Sequence, residues 1–240
     1  LKKVLIVPDC HHPFVDKRAW ALLLRVAKKL KPDAIITLGD FCDFMSVSSH
    51  DKDPARKDRF EDEIQACNDA LDELDSVGSK LRVFIAGNHE YRLDRYLSQR
   101  APELHSLVST KELLRLKQRG WVYVPYRSHY KMGKVYFTHD DGTAGPLANV
   151  KARSSYEGNV VIGHTHSMSV NYKGTAKGSS HVGASFGWLG DLSQIDYMHR
   201  VKAAAWQHGF GVGYLAKDGT MHMQACPIVG GRVVVGGVAY

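Results

Sequence analysis

The chain has 240 residues, enough for one substantial domain, and its 44% hydrophobic and 24% charged content is that of an ordered, water-facing protein rather than a disordered or low-complexity one. No apolar run reaches the roughly 18 residues a membrane span needs, and the opening Leu1–Asp9 stretch turns polar too soon for a secretory leader. The formal net charge of +7 suits a polyanionic partner, nucleic acid among them.

Val4–Val7 is a short apolar run, expected as a buried strand. Trp20, Leu23, Leu24, Ala27 and Leu30 then recur at helical spacing until Pro32-Asp33 breaks the pattern, and Ala34–Leu38 reads as the next strand. Phe60, Ile64, Cys67, Leu71 and Leu74 mark one face of a second helix, with carboxylates opposite and Gly78 as the stop. Leu81–Ala86 is the third strand. A β-α-β-α-β order implies parallel strands with right-handed crossovers.

Residues 91–133 look polar and helical through Gly120, and are expected as a helical cap inserted into a single domain covering 1–240. Val135–Thr138 and Asn159–Ile162 read as strands. From Met168 to Tyr240 the chain is rich in Gly, Val and aromatics, with a turn at Lys217-Asp218-Gly219, which predicts antiparallel structure. The expected architecture is two packed sheets with helices outside. The cysteines, Cys10, Cys42, Cys67 and Cys226, show no C-x-x-C spacing, which argues against structural zinc and fits a reducing, cytoplasmic setting.

Five predicted strands end alike. The first runs into Asp9-Cys10-His11, the second into Gly39-Asp40-Phe41-Cys42-Asp43, the third into Gly87-Asn88-His89-Glu90, and the later ones into His139-Asp140 and Gly163-His164-Thr165-His166. In open α/β sheets a site forms beyond the carboxyl ends of the strands, so these residues converge on one edge. Carboxylate plus imidazole is a ligand set for zinc, manganese or iron. Asp9 with His11, and His164 with His166, are spaced so that one turn presents both side chains. Asp40 adds a bridging carboxylate, Asn88 a neutral oxygen, and His139 a further imidazole. Seven donors exceed one tetrahedral ion and suit two ions sharing a bridge, about 3.5–4 Å apart in such sites.

The ordered set D-x-H, G-D-x-x-D, G-N-H-[DE], a lone His and G-H-x-H resembles the calcineurin-like metallophosphoesterase superfamily, over the stretch Asp9–His166. The general texture is also similar to metallophosphoesterases of bacteriophages and bacteria. The resemblance implies a four-layer α/β/β/α sandwich. It also implies that Asp9, His11 and His166 hold one divalent metal, that Asn88, His139 and His164 hold the other, and that Asp40 bridges them. Manganese is the first choice, with iron, zinc or nickel as alternatives. His89 would act over the phosphate as general acid or charge stabiliser, with Asp43 or Glu90 orienting the site. Such a pair of ions lowers the pKa of a shared water from about 15.7 towards 7, supplying a bridging hydroxide that attacks phosphorus in line with the leaving oxygen.

Two features depart from the family pattern: Asp140-Asp141-Gly142 follows the lone His139, and Phe44 follows Asp43 where Ser/Thr protein phosphatases carry Arg. The second, with the basic charge, favours hydrolysis of phosphodiester bonds in nucleic acid or a nucleotide. A phosphomonoesterase or protein phosphatase is the alternative, and a non-catalytic metal-binding scaffold the third reading, disfavoured because every ligand position is filled. Arg92, His50 and His12 are the candidate substrate contacts, with His12 also read as turning away from the metals. Cys10 and Cys42 are read as packing residues, the 111–119 basic patch as a helix surface, and His208 as structural. The sequence carries no indication of oligomeric state.

Overall fold

The computed structural model describes residues 1–50, 59–176, 178–194 and 205–240. In chain order its regular elements are β1 (Lys2–Val7), α1 (Lys17–Leu30), β2 (Ala34–Thr37), α2 (Phe60–Asp75), β3 (Leu81–Ile85), α3 (Tyr91–Arg100), α4 (Thr110–Leu113) and β4 (Val122–Val124). They continue with β5 (Tyr130–Met132), β6 (Val135–Thr138), α5 (Ala148–Ser155), β7 (Asn159–Ile162), β8 (Met168–Gly174), β9 (Ser180–Phe186), β10 (Gly209–Leu215), β11 (Met221–Pro227), β12 (Val234–Val235) and β13 (Val238–Ala239).

The first large sheet has the order β11-β10-β1-β2-β3-β4, and the second β5-β6-β7-β9-β8. β1 to β4 pair in parallel, as the alternation of strands and helices requires, and β10 and β11 extend that sheet antiparallel. In the second sheet β6, β7 and β9 are parallel, with β5 and β8 antiparallel at its edges. The Met168–Tyr240 tail is therefore mixed rather than purely antiparallel, because β9 docks beside β7.

The period-two alternation of β1 builds the layers. Leu5 and Val7 face Trp20, Leu23 and Ala27 of α1 and Cys67, Leu71 and Leu74 of α2 in one core. Val4 and Ile6 face the other way, with Ile36, Val83 and Ile85, against Phe137, Val161, Ala184 and Phe186 of the second sheet. Val160 and Ile162, on the far side of β7, pack on Ala148 and Ala152 of α5. Helix, sheet, sheet, helix is the four-layer sandwich.

α1 starts where the Asp16 carboxylate accepts the Arg18 and Ala19 backbone N–H groups at 2.8 and 3.1 Å, and stops at Lys31 in the left-handed region before Pro32. Residues 91–133 correct the expected cap. After α3 and α4 the segment supplies β4 to one edge of the first sheet and β5 to an edge of the second. The polar helical texture through Gly120 belongs to α3, α4 and the turns after them, and the two edge strands that follow are only three residues each. Arg119 in this stretch is fixed to Asp72 and Asp75 of α2 at 2.5 and 2.7 Å, so this end of the basic patch staples helix to loop.

Candidate metal centre

The strand-end loops are zipped together through their backbones. Cys10 and His11 donate to the Asp40 carbonyl at 3.0 and 2.9 Å, His12 donates to Phe41, and Asp43 donates back to His12. Gly163 donates to the His139 carbonyl at 2.9 Å, and Leu189 donates to Asp9 at 2.8 Å. Two motif glycines are needed for close approach. Gly39 has φ 92°, and a Cβ there would lie 2.5 Å from His139 Nδ1; one at Gly87 would lie 2.2 Å from an Asp40 carboxylate oxygen. His11, Asp40, His164 and His166 all hold positive φ, at 55°, 47°, 65° and 52°. For residues with a Cβ, each such backbone costs about 1–3 kcal/mol, and such outliers concentrate at functional sites.

Two groups of donors converge. Asp9, His11 and His166 bring ligand atoms within 4.8 Å of one another, and so do Asp40, His139 and His164. A third group, His11, Asp40 and His89, connects them. Asn88 joins the second cluster, its Oδ1 2.8 Å from His139 Nε2. His139 Nδ1 faces the Leu38 carbonyl at 2.8 Å and His11 Nδ1 faces the Asp43 carboxylate at 3.0 Å. Both partners only accept, so each Nδ1 carries the proton and each Nε2 offers a lone pair to the cluster. His11 Nε2 then meets His166 Nε2 at 3.1 Å, and His166 Nε2 meets an Asp9 oxygen at 3.1 Å. The His11 lone pair, the His166 ring nitrogen and the Asp9 carboxylate thus crowd one point, an arrangement that a cation satisfies. The donor set therefore fits divalent metal.

The electrostatics agree. Burial would lower the His139 pKa, but Asp40 and Asp9 outweigh it and lift the ring to about 10. Burial would raise Asp40, yet His139 and His89 keep it well below the usual carboxylate range. Burial pushes the Cys10 and Cys42 thiols well above their ordinary values, and both side chains are fully buried, so they are packing residues.

His89 lies at the junction of the clusters. Its Nδ1 is 3.0 Å from the Asp43 carbonyl and 3.2 Å from the Asp43 carboxylate, and Arg92 Nη2 is 2.9 Å from its Nε2. Burial lowers the ring's pKa, the Asp40 and Asp43 carboxylates raise it further than that, and Arg92 opposes them. The net direction is upward, while the Arg92 contact favours the ring with a free Nε2 lone pair.

Arg92 corrects an expectation. It is buried, with its guanidinium on the Asp43 carbonyl and carboxylate at 2.9 and 3.1 Å and on His89, so it acts through those residues rather than reaching out to substrate. His12 is a second correction. It is buried between the rings of Trp20 and Phe41, each 4.8 Å away, and has no route to substrate. His50 is exposed on the loop after the second motif. His208, read as structural, is 2.7 Å from the Gly190 carbonyl through Nε2.

Glu90, expected to orient the site, does so through the backbone, and several aromatic contributors escaped sequence reasoning. Glu90 is a buried staple: its carboxylate accepts the backbone N–H groups of Asp40, Cys42 and Gly87 at 2.9, 2.8 and 2.6 Å, tying the second and third loops together. Burial and the nearby Asp40 raise it to about 7. Trp188 stacks on His166 with centroids 4.9 Å apart, and Trp206 meets the same ring edge-on at 4.3 Å. Tyr126 lies 6.2 Å from the His139 ring. Glu90 was visible as the end of G-N-H-E, but the aromatic residues carry no local signal, since their roles exist only once β9 and the loop after β4 reach the sheet edge.

Residues 2–168 match the pattern of the calcineurin-like phosphoesterase family, and the chain belongs to that family. It is similar to the Gene 54 proteins of Mycobacterium phages L5 and D29, 26% identical to each, with 98% of this chain and 97% of each relative covered. Among solved structures it is similar to Vacuolar Protein Sorting 29 of Cryptosporidium parvum, at a TM-score of 0.49 and 13% identity, with 93% of this chain and 95% of that one covered. It is also similar to Yfce, a phosphoesterase from E. coli, at a TM-score of 0.43 and 14% identity, covering 93% and 98%. Among the described residues no helix is long and apolar enough to cross a membrane.

Proposed function

We propose that the chain hydrolyses phosphodiester bonds, in nucleic acid or a nucleotide, with two divalent cations of which manganese is the first choice. The observation that carries this reading is the convergence of acceptor atoms from Asp9, His11, Asp40, Asn88, His139, His164 and His166 on one sheet edge, with His89 beside them. Cations held there would supply an activated water near neutral pH and neutralise phosphate oxygens. Asp9, His11 and His166 would hold one, Asn88, His139 and His164 the other, and Asp40 would serve both.

The chain's own residues do the rest. His89 delivers a proton to the leaving oxygen or stabilises its charge, since Asp40 and Asp43 favour its protonated form. Asp43 and Arg92 orient that ring from opposite nitrogens. His50, exposed beside this loop, is a candidate substrate contact. The diester preference draws support from the +7 charge and from Phe44. Phe44 is fully buried and packs on Phe60 at 5.2 Å, where a protein phosphatase would place an arginine for its monoester.

The test compares bis-p-nitrophenyl phosphate with p-nitrophenyl phosphate, using protein stripped of metal and then restored with manganese. Restoration is expected to return activity with the diester preferred. His89→Ala is expected to keep bound metal and lose about 10²–10⁴-fold in kcat. Preferred monoester cleavage replaces the reading with a phosphomonoesterase. Full activity in His89→Ala removes His89 from the chemistry.

A further inference from the structure

The β4–β5 loop carries an arginine that the site does not use. Ser128 N–H donates to the Pro125 carbonyl at 3.1 Å, closing a turn whose third residue, Arg127, has φ 65°. That position suits glycine, and a side chain there strains the backbone. The Arg127 side chain is exposed yet held in place. Its guanidinium carbon lies 5.4 Å from the Tyr126 ring centroid and 5.8 Å from that of Tyr91. The two rings are themselves 5.4 Å apart, and Tyr91 directly follows the Gly87–Glu90 motif. Tyr126 also touches His139 ring to ring at 6.2 Å. Contacts thus run from the second cluster through Tyr126 to Arg127.

No carboxylate pairs with Arg127 among the described residues, unlike Arg82, Arg92 and Arg119, which all have acidic partners. Two aromatic faces cover one side of the guanidinium, the Tyr126 hydroxyl accepts one of its N–H groups, and the remaining N–H groups have no carboxylate partner among the described residues. Stacking on aromatic rings fixes the orientation of a fork without neutralising its charge. An oriented, unneutralised guanidinium at the rim of a phosphate site has the geometry for a second phosphate.

We propose that Arg127, seated on Tyr91 and Tyr126, binds the phosphate next to the scissile one, so that the substrate is a polynucleotide or phosphorylated dinucleotide rather than an isolated diester. This rests on the phosphodiesterase reading above. The aromatic pair positions Arg127; the guanidinium makes the contact. One direct charge-assisted contact to a phosphate is a differential effect of about tenfold in binding.

The experiment compares the dinucleotides TpT and pTpT, which share one diester and differ by a neighbouring phosphate. The manganese-loaded enzyme is expected to show a KM about tenfold lower for pTpT. Arg127→Gly is expected to raise KM for pTpT to the TpT value, leave kcat and TpT unchanged, and melt no lower than wild type, because glycine relaxes the positive φ. Arg127→Lys, keeping the charge without the fork, is expected to recover part of the difference. Equal effects of Arg127→Gly on both substrates, or none on either, overturn the proposal. Should wild type cleave neither dinucleotide, the phosphodiesterase reading falls. Calorimetric titration of metal-free protein with pTpT then decides Arg127 by itself: tighter binding by wild type than by Arg127→Gly upholds the anion contact, and equal affinity removes it.

Discussion

Asp9, His11 and His166 sit against a wall of rings, whereas Asn88, His139 and His164 look out past Tyr126. In the first cluster all three side chains are buried, and Trp188 and Trp206 clamp His166 from face and edge. In the second, Asn88 and His164 are half-buried, while the buried His139 is held by the Leu38 carbonyl and meets the His164 and Tyr126 rings at 5.2 and 6.2 Å. The difference separates two ways of preparing a ligand. Two indoles close the first cluster off from water, while the half-buried Asn88 and His164 leave an approach to the second. The sealed side suits a permanently held ion, and the open side suits exchange of water and substrate.

The harshest test of the comparison is Asp40→Ala. Asp40 belongs to the second cluster and, through His11 and His89, to the connecting one, so its loss is expected to empty both sides. Metal analysis should show less than one equivalent, and diester hydrolysis should fall by roughly 10³-fold or more. Retained turnover without bound metal would sink the two-ion reading altogether. A one-sided loss would mean the halves are independent.

Trp188→Ala strikes the sealed side alone. Removing a fully buried indole is expected to destabilise the fold by about 3–5 kcal/mol, read as a lower denaturant midpoint. The remaining folded protein should lose affinity at the first cluster while the second keeps its ion. If both sites weaken together, the wall is a general support and the contrast between the halves disappears.

The smallest effect concerns the packing behind the sealed side. Burial, with the neighbouring His11, depresses His12 to about 3, against an unfolded value of about 6.5. Between those values the unfolded chain binds the extra proton, so His12 contributes its full stability above about pH 6.5 and loses it as pH falls towards 3. His12→Phe is expected to flatten this acid limb in urea titrations at pH 4 to 7, with little change at pH 7.5. An unchanged limb would show that His12 takes up its proton in the folded state.

Much of this arrangement was legible in the chain. Strand-end motifs are visible in sequence because such a side chain stands within about three residues of its strand, so Asp9, Asp40, Asn88, His139 and His164 were marked by local grammar. β1, β2 and β3 were equally plain from apolar runs and helix stops. The cap expected over 91–133 failed because β4 and β5 are three residues each, too short for period-two alternation to register. His12 misled because a histidine beside a ligand gives no sign of which way its ring turns; the bridge pairing His12 with Cys42 sends it inward to Trp20 and Phe41. Trp188 and Tyr126 lie 22 and 13 residues of chain from the His166 and His139 rings they touch, distances at which local pattern carries no information.

The four positive-φ positions in the centre have an evolutionary reading. At His11, Asp40, His164 and His166 the backbone itself prefers glycine or asparagine, so a descendant released from binding cations gains heat resistance by abandoning those side chains. Selection for durability and selection for chemistry pull against each other at the same four codons. In this chain all four are occupied by histidine or aspartate, and all four belong to the converging donor groups.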